Sequence, residues 1–480
     1  MRALGLATTI ITMGLPRIAG AGPEPTKSAT NEADAVEEET EPPQAAASDD
    51  DDALATEPDP GGPSPKPKEV APDGDDTDEP SPSAAPEGTE VGERAQADAG
   101  TEPSASDEAE PRTDAEAVDA EAQRRLPAWL QRITVGAFVD VYASLNVGLP
   151  RPEVGGNAFR AFDQSNGFSL AWAGLDIDFD APKAAATVDL RFGPSTNAGW
   201  SEDSIMGIQL IKQAFGTWKI HDKVELDFGR FNTIFGAEVS ESWMNHTYTR
   251  GMLYDLAQPF WHTGLRGRAQ LNDTFGLNAL LVNGWGHVID NNAGKDYGLQ
   301  LAVTPGEVFG LYAGYLTGPE GNEVYLAPDP GDPTRMVELE TPGVNRRFRH
   351  LVDVVVTVAY RKLSLALNAD YVRDDEPMEI GGLSQWYGGM LSGSYRFVHW
   401  FGLAARAELL GDPDGWMTGA SEGALLGTGT LTLDFRPRPY LVLRLEGRVD
   451  GSNESLFPRG YGSTSSHQLT TTLGLVVTSF

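Results

Sequence analysis

The 480-residue chain contains no cysteine. That removes disulfides, zinc–thiolate sites, thiol nucleophiles and a lipid-modified anchoring cysteine. It fits an oxidising envelope compartment. No run of 18 consecutive apolar residues occurs, so no helix is expected to cross a bilayer. Positive charge is scarce: 36 Lys and Arg stand against 70 Asp and Glu, a net charge of −34. Phosphate would be repelled, which argues against nucleic acid as a partner. The seven histidines (His221, His246, His262, His287, His350, His399 and His467) make no HExxH or paired ligand spacing. No metal and no other cofactor is expected.

These deficits are unevenly spread. Residues 22–121 hold 31 Asp and Glu against 5 Lys and Arg, so most of the acidity belongs to one segment. Aromatic residues are also missing there, and Trp129 is the first in the chain. A Pro/Ala/Ser/Asp/Glu segment of this kind buries too little apolar surface to offset its ordering entropy. We expect a disordered acidic segment over residues 22–127, with a coil span of roughly 55 Å per 100 residues. DAEAVDAEAQRRL (114–126) could add a short helix at its end. Ahead of it, residues 1–21 have Arg2, an apolar stretch from Ala3 to Leu15 and the small residues Ala19-Gly20-Ala21. That order of charge, short apolar core and small residues predicts an export signal.

From residue 128 to 480 the pattern becomes one of alternation. In ITVGAFVDVYASLN, Ile133, Val135, Ala137, Val139, Val141, Ala143 and Leu145 fall on one face. Asp140, Tyr142, Ser144 and Asn146 fall on the other. Side-chain period two means a strand whose faces meet different surroundings. Sixteen such segments occur, the first near 132–146 and the last near 466–480, with 14 or 18 as neighbouring counts. Most run about 9 to 15 residues, the length a tilted strand needs to cross a membrane. Short connections (APKA at 181–184, His221-Asp222, NDT at 272–274, PGE at 305–307, Lys362, His399 and Pro437) alternate with long ones. Phe179, Trp218, Phe309, Tyr360, Phe397, Phe401 and Phe435 lie near the short-turn ends on the apolar face. Short periplasmic turns, long external loops and an aromatic girdle define an outer-membrane barrel of a Gram-negative bacterium. The expected fold is therefore all-β: a transmembrane antiparallel up-and-down barrel with the acidic segment in the periplasm. LTTTLGLVVTSF (469–480) is expected to close it, ending on the apolar Phe480.

Sixteen strands enclose more space than side chains fill, so a water-filled lumen is expected unless it is plugged. Parity turns Asp140, Asp176, Asp178, Asp189, Arg191, Arg266, Arg268, Asp370, Arg396, Arg406, Glu408, Asp434, Arg444, Glu446, Arg448 and Asp450 inward. Charged rings select ions, but such residues also pair across neighbouring strands and hold the wall. Arg444, Glu446 and Arg448, near Arg406 and Glu408, read best as a wall network. Loop 233–261 is rich in Phe, Trp, Tyr and Leu, and a long apolar loop packs on something. Either it folds inward as a constriction lined by Glu238, Glu241, Asn245, His246, Arg250 and Asp255, or it caps the mouth or a subunit contact.

GRFNTIFGAEV, NHTYTRGMLYDLAQPFWHTGLRG and LVNGWGHVIDNNAGKDYGLQLAVTP resemble the OmpL-like family of β-barrel porins, closely over 225–318 and loosely over 132–480. A terminal Phe resembles the signal read by the barrel-assembly machinery, although Thr478 and Ser479 precede it. The resemblance implies a channel in outer-membrane lipid. With the strand count it implies a homotrimer, and it implies no catalytic residues. Two other classes compete with passive diffusion of small hydrophilic solutes or ions. One is a barrel hydrolase built on His246, Ser240, Ser242 and Asp255. The other is a tether whose residues 22–121 contact the cell wall or a periplasmic partner. Asp290, Asn291, Asn292 and Asp296 have Ca²⁺-ligand chemistry without the full EF-hand pattern, so an ordinary exposed loop is expected there.

Overall fold

The computed structural model describes residues 127–151, 156–164, 166–196, 208–329, 332–375 and 382–479. The expected export signal, the acidic segment up to residue 126 and Phe480 lie outside the described residues.

Alternation becomes strands throughout. The first nine are β1 (Ile133–Asn146), β2 (Gly167–Asp180), β3 (Ala184–Phe192), β4 (Ile211–His221), β5 (Val224–Asn232), β6 (Trp261–Gln270), β7 (Phe275–Val282), β8 (Asp296–Val303) and β9 (Phe309–Pro319). A hairpin of β10 (Val324–Asp329) and β11 (Asp332–Glu340) follows in a long loop. Then come β12 (Phe348–Tyr360), β13 (Leu363–Asp374), β14 (Ser384–Val398), β15 (Phe401–Asp412), β16 (Ala424–Arg438) and β17 (Leu441–Ser452). A second loop hairpin, β18 (Phe457–Arg459) and β19 (Ser463–Ser465), precedes β20 (His467–Thr478). Leaving out the two hairpins, sixteen strands pair antiparallel in chain order, and β20 closes the ring on β1 through pairs such as Val139↔Val477. Ser479 continues that seam: its hydroxyl accepts from the Ala137 amide at 2.8 Å.

The polarity of the barrel is inverted relative to a soluble protein. On β17, Leu445 and Val449 are 42% and 51% exposed, while Arg444, Glu446, Arg448 and Asp450 are buried. A closed ring satisfies its own backbone groups, so its outer face can be wholly apolar. The expected aromatics sit on that face near the short turns, Trp218 at 59% and Tyr360 at 51% exposure among them.

Several boundaries differ from the sequence reading, and two of these differences have the same cause. β16 runs through Pro437 to Arg438, because the ladder is already interrupted by a bulge between Phe435 and Arg438. Proline's missing N–H costs nothing at such a break. A bulge between Arg396 and Val398 likewise moves the next turn to His399-Trp400. The fourth strand begins at Ile211, after a turn at Gln209-Leu210. The turn at Arg361-Lys362 places Arg361 at φ 57°, the left-handed conformation that suits a tight hairpin.

The polarity generates a test. Leu473 lies mid-strand on the lipid face, opposite Ala143 and Leu445. We expect Leu473→Arg to cost about 2–4 kcal/mol in denaturant unfolding of the bilayer-inserted barrel. The inward neighbour Thr472→Ser should change it little.

Candidate functional site

The lumen is organised around the connection between β5 and β6, residues 233–260. It runs inward and is buried against lumen-facing side chains from both sides of the barrel. On one side the Gly236 amide donates to Asp353 Oδ2 (3.1 Å) and the Ala237 amide to Asn368 Oδ1 (2.8 Å). Opposite, Ser242 Oγ and the Tyr248 hydroxyl donate to the two carboxylate oxygens of Asp140, at 2.6 and 2.7 Å. Of the two readings of this loop, the inward-folded one matches its path.

Charged wall residues hold the loop backbone directly. Arg444 donates to the carbonyls of Ser242, Thr247 and Asn245. Glu446 accepts from the amides of Tyr248 (2.6 Å) and Thr249 (3.1 Å). Arg448 donates to the Arg250 carbonyl (2.6 Å), and Glu408 accepts from the amides of Met252 and Leu253. Those two amides open a short helix, α1 (Met252–Leu256), where a carboxylate satisfies N–H groups that have no intrahelical partner. Arg406 pairs with Glu238 (2.7 Å) and with Glu408 (3.1 Å). Glu241 pairs with Arg191 (2.7 Å) and Lys212. Arg444, Glu446 and Arg448 are thus more than a wall network. They do contact their own wall, through Asp434, Thr432 and Asp450, but their main partners are on the loop. A buried loop needs its backbone satisfied, and charged partners give the stronger hydrogen bonds.

Glycines on the wall make room. A Cβ at Gly474 would stand 2.3 Å from the Tyr248 ring, and one at Gly314 would stand 2.7 Å from Phe235. Around the loop's apolar side chains lies a core inside the barrel, including Ile234, Phe235, Leu253, Leu351, Trp386 and Leu410.

The other expected lining residues are inward but occupied with the wall. Arg266 and Arg268 meet Asp227, at 2.8 and 2.9 Å. Asp189 accepts from Gln213, Asp176 pairs with Arg191, and Asp178 accepts from Thr187. Arg396 meets Asp434 at 3.2 Å, and Asp370 accepts from Asn368 at 3.1 Å. Asp450 takes Arg448 (2.7 Å) and Arg160 (2.8 Å). Arg160 belongs to the β1–β2 loop, which also packs inward: Phe162 lies against Trp172 and Tyr254. Sequence reasoning passed over this loop and Lys212. The aromatics of AFRAF were a signal for the first. Lys212 escaped because a register shift at Asp189/Leu190 reverses the parity of β4.

Loop electrostatics follow from burial and partners. Burial would raise the Glu241 carboxyl, but Lys212 and Arg191 outweigh it and bring it down to about 2. Burial lowers His246 to about 4, leaving a neutral imidazole between Ser392 Oγ (3.0 Å) and Ser364 Oγ (2.8 Å). Burial lifts the Asp255 carboxyl to about 7, against the pull of Arg448. Asn245 folds the loop on itself by accepting from the Val239 amide (2.8 Å). Arg250 donates to the Tyr248 carbonyl (2.8 Å) and lies over the Phe162 ring. The imagined hydrolase grouping comes apart: Ser242 serves Asp140, Ser240 meets the Tyr254 hydroxyl, and His246 meets neither serine. In the 290–296 loop Asp290 pairs with Lys295, and Asn292 donates to the Pro319 carbonyl.

Below the loop, toward the short turns, is a cavity of 780 Å³. Asp178, Glu225, Arg266 and Arg268 line part of it, Tyr312 and Val355 another part, with His246 of the loop also in the lining.

A family model for OmpL-like beta-barrel porin-2 proteins matches residues 132–478. The chain belongs to that family. It is an outer-membrane β-barrel of the porin class. The solved structures that this chain is similar to at low identity include the following three. OmpT of Vibrio cholerae, folded in vitro and in a trimer form, is 12% identical, with 72% of this chain and 98% of that one covered and a TM-score of 0.47. The outer membrane channel DcaP of Acinetobacter baumannii is 12% identical over 72% and 96%, with a TM-score of 0.47. The anion-selective porin of Comamonas acidovorans is 10% identical over 72% and 99%, with a TM-score of 0.45. No curated protein matches the chain. The family match alone carries the assignment.

Two tests follow from the loop. Glu446→Leu leaves the Tyr248 and Thr249 amides without their acceptor, at about 1–3 kcal/mol each. Hydrogen exchange at those two amides should speed up on the order of tenfold or more, with the barrel amides unchanged. For Asp255, a folded pKa above the unfolded value of 3.8 costs stability once pH rises above 3.8, and the full cost is present above about 7. Asp255→Asn should therefore raise the heat-modifiability midpoint at pH 8, and the gain should vanish near pH 4.

Proposed function

We propose that this porin passes small hydrophilic solutes or ions by diffusion through a lumen narrowed by loop 233–260. Glu238, Glu241, Asn245, His246, Arg250 and Asp255 set its cross-section. Asp140, Arg191, Arg406, Glu408, Arg444, Glu446 and Arg448 hold the loop in place. Asp189, Arg266, Arg268 and Asp370 stiffen the wall beside the passage. The observation that carries this reading is the anchoring of one loop to lumen-facing residues on β1, β3, β4, β12, β13, β15 and β17. A loop held from so many directions defines a fixed gap, as a selectivity constriction requires.

This reading includes no catalytic step. β1 begins and β20 ends at the short-turn rim, which supports residues 22–127 as a periplasmic spacer behind an export signal at 1–21. A homotrimer is the proposed assembly.

Single-channel recording of the refolded full chain in a planar bilayer tests the proposal. Small, steady steps are expected, with a reversal potential under a salt gradient that reports the sign of the narrowest point. Arg406→Ser with Arg444→Ser releases the loop and should give larger, noisier steps. An inserted barrel silent in both forms would overturn the channel reading and leave the tether.

A further inference from the structure

The lipid face of the barrel is not uniform at its short-turn rim. Across β14 to β16 that rim carries a continuous aromatic surface. Tyr395 meets Phe397, Phe397 stacks on Phe401, and Phe401 and Trp400 reach Phe435, with ring centroids 5.0 to 6.5 Å apart. Phe397 and Trp400 are 45% and 44% exposed.

Charge follows the same division. The exposed charged residues at the rim from β12 to β17 are Arg361, Lys362 and Arg438, all cationic. From β2 to β9 they are Asp180, Lys183, Asp222, Lys223, Asp273 and Glu307, of mixed sign and mostly acidic. None of the three cations makes an ion pair among the described residues. Lys362 Nζ donates to the Phe397 carbonyl (2.7 Å), Arg438 to the Pro437 carbonyl (2.9 Å), and the Arg361 guanidinium lies 5.1 Å over the Tyr360 ring. Their positive charge is therefore uncompensated directly beside the aromatic surface.

We infer that this sector binds anionic phospholipid of the periplasmic leaflet. The rings meet the acyl chains and glycerol region, and Arg361, Lys362 and Arg438 meet the phosphate. Aromatic rings favour the membrane interface, and basic groups at that level attract anionic headgroups at about 1 kcal/mol each. Charge complementarity selects the anionic lipid over its zwitterionic neighbours, and the acidic rim of β2 to β9 gives no competing site.

Native mass spectrometry of the detergent-purified full chain tests this, with phosphatidylglycerol, phosphatidylethanolamine and inorganic phosphate as separate probes. Phosphatidylglycerol should be retained over phosphatidylethanolamine. Arg361→Gln/Lys362→Gln/Arg438→Gln should weaken retention about fivefold per charge removed. Lys183→Gln/Lys223→Gln should not change it, and unchanged heat-modifiability in both variants excludes misfolding. Equal retention of both lipids overturns the inference, as does equal loss in both variants. Displacement by millimolar inorganic phosphate would show a phosphate site without lipid. Loss of subunit association with lipid retention intact would make the sector a protein contact.

Discussion

The backbone of the loop buried inside this barrel has to find its partners away from bulk water, and the lumen solves that problem with charged side chains. Arg444, Glu446, Arg448 and Glu408 act as acceptors and donors for a loop that has little regular structure of its own. An apolar wall could have packed the same side chains but would have left the loop's amides and carbonyls bare. The rows of charge are thus what permits a long irregular segment to be buried. They also place ionised groups around the buried loop, so structural support and the local field come from the same residues.

The barrel itself was legible because its physics is repetitive. Period two, sixteen times over, with short and long connections in turn, leaves one architecture. The inward faces followed from counting: Asp140, Arg406 and Arg448 all point where parity puts them. Counting failed where the ladder slips. Lys212 lies beyond a shift in β4 and became the partner of Glu241, while Pro437 fell within a strand. A bulge has no signature strong enough to read from one sequence.

The site was less legible than the fold for a different reason. Composition said that loop 233–260 must pack on something; it could not say on which side. That depends on which wall residues are small and which carry charge at matching heights. Gly474 opposite Tyr248, or Asn368 opposite Ala237, becomes meaningful only after closure of the ring. Hydrolase chemistry looked conceivable from the nearness of Ser240, Ser242 and His246 in sequence. Geometry sent each to a different partner, which is why nearness along a chain is weak evidence for a site.

The anchors also tie the loop to closure of the ring. Glu446 and Arg444 stand about two hundred positions downstream of the loop residues they hold, and Asp140 lies about a hundred positions upstream. Until the last strands join the first, these partners sit on separate, loosely related stretches of chain, and bringing them together carries a large loop-closure entropy. The full set of anchors for the connection between β5 and β6 therefore exists only in the closed ring. The segment buried inside the finished barrel thus depends for its hydrogen bonds on strands from both ends of the chain.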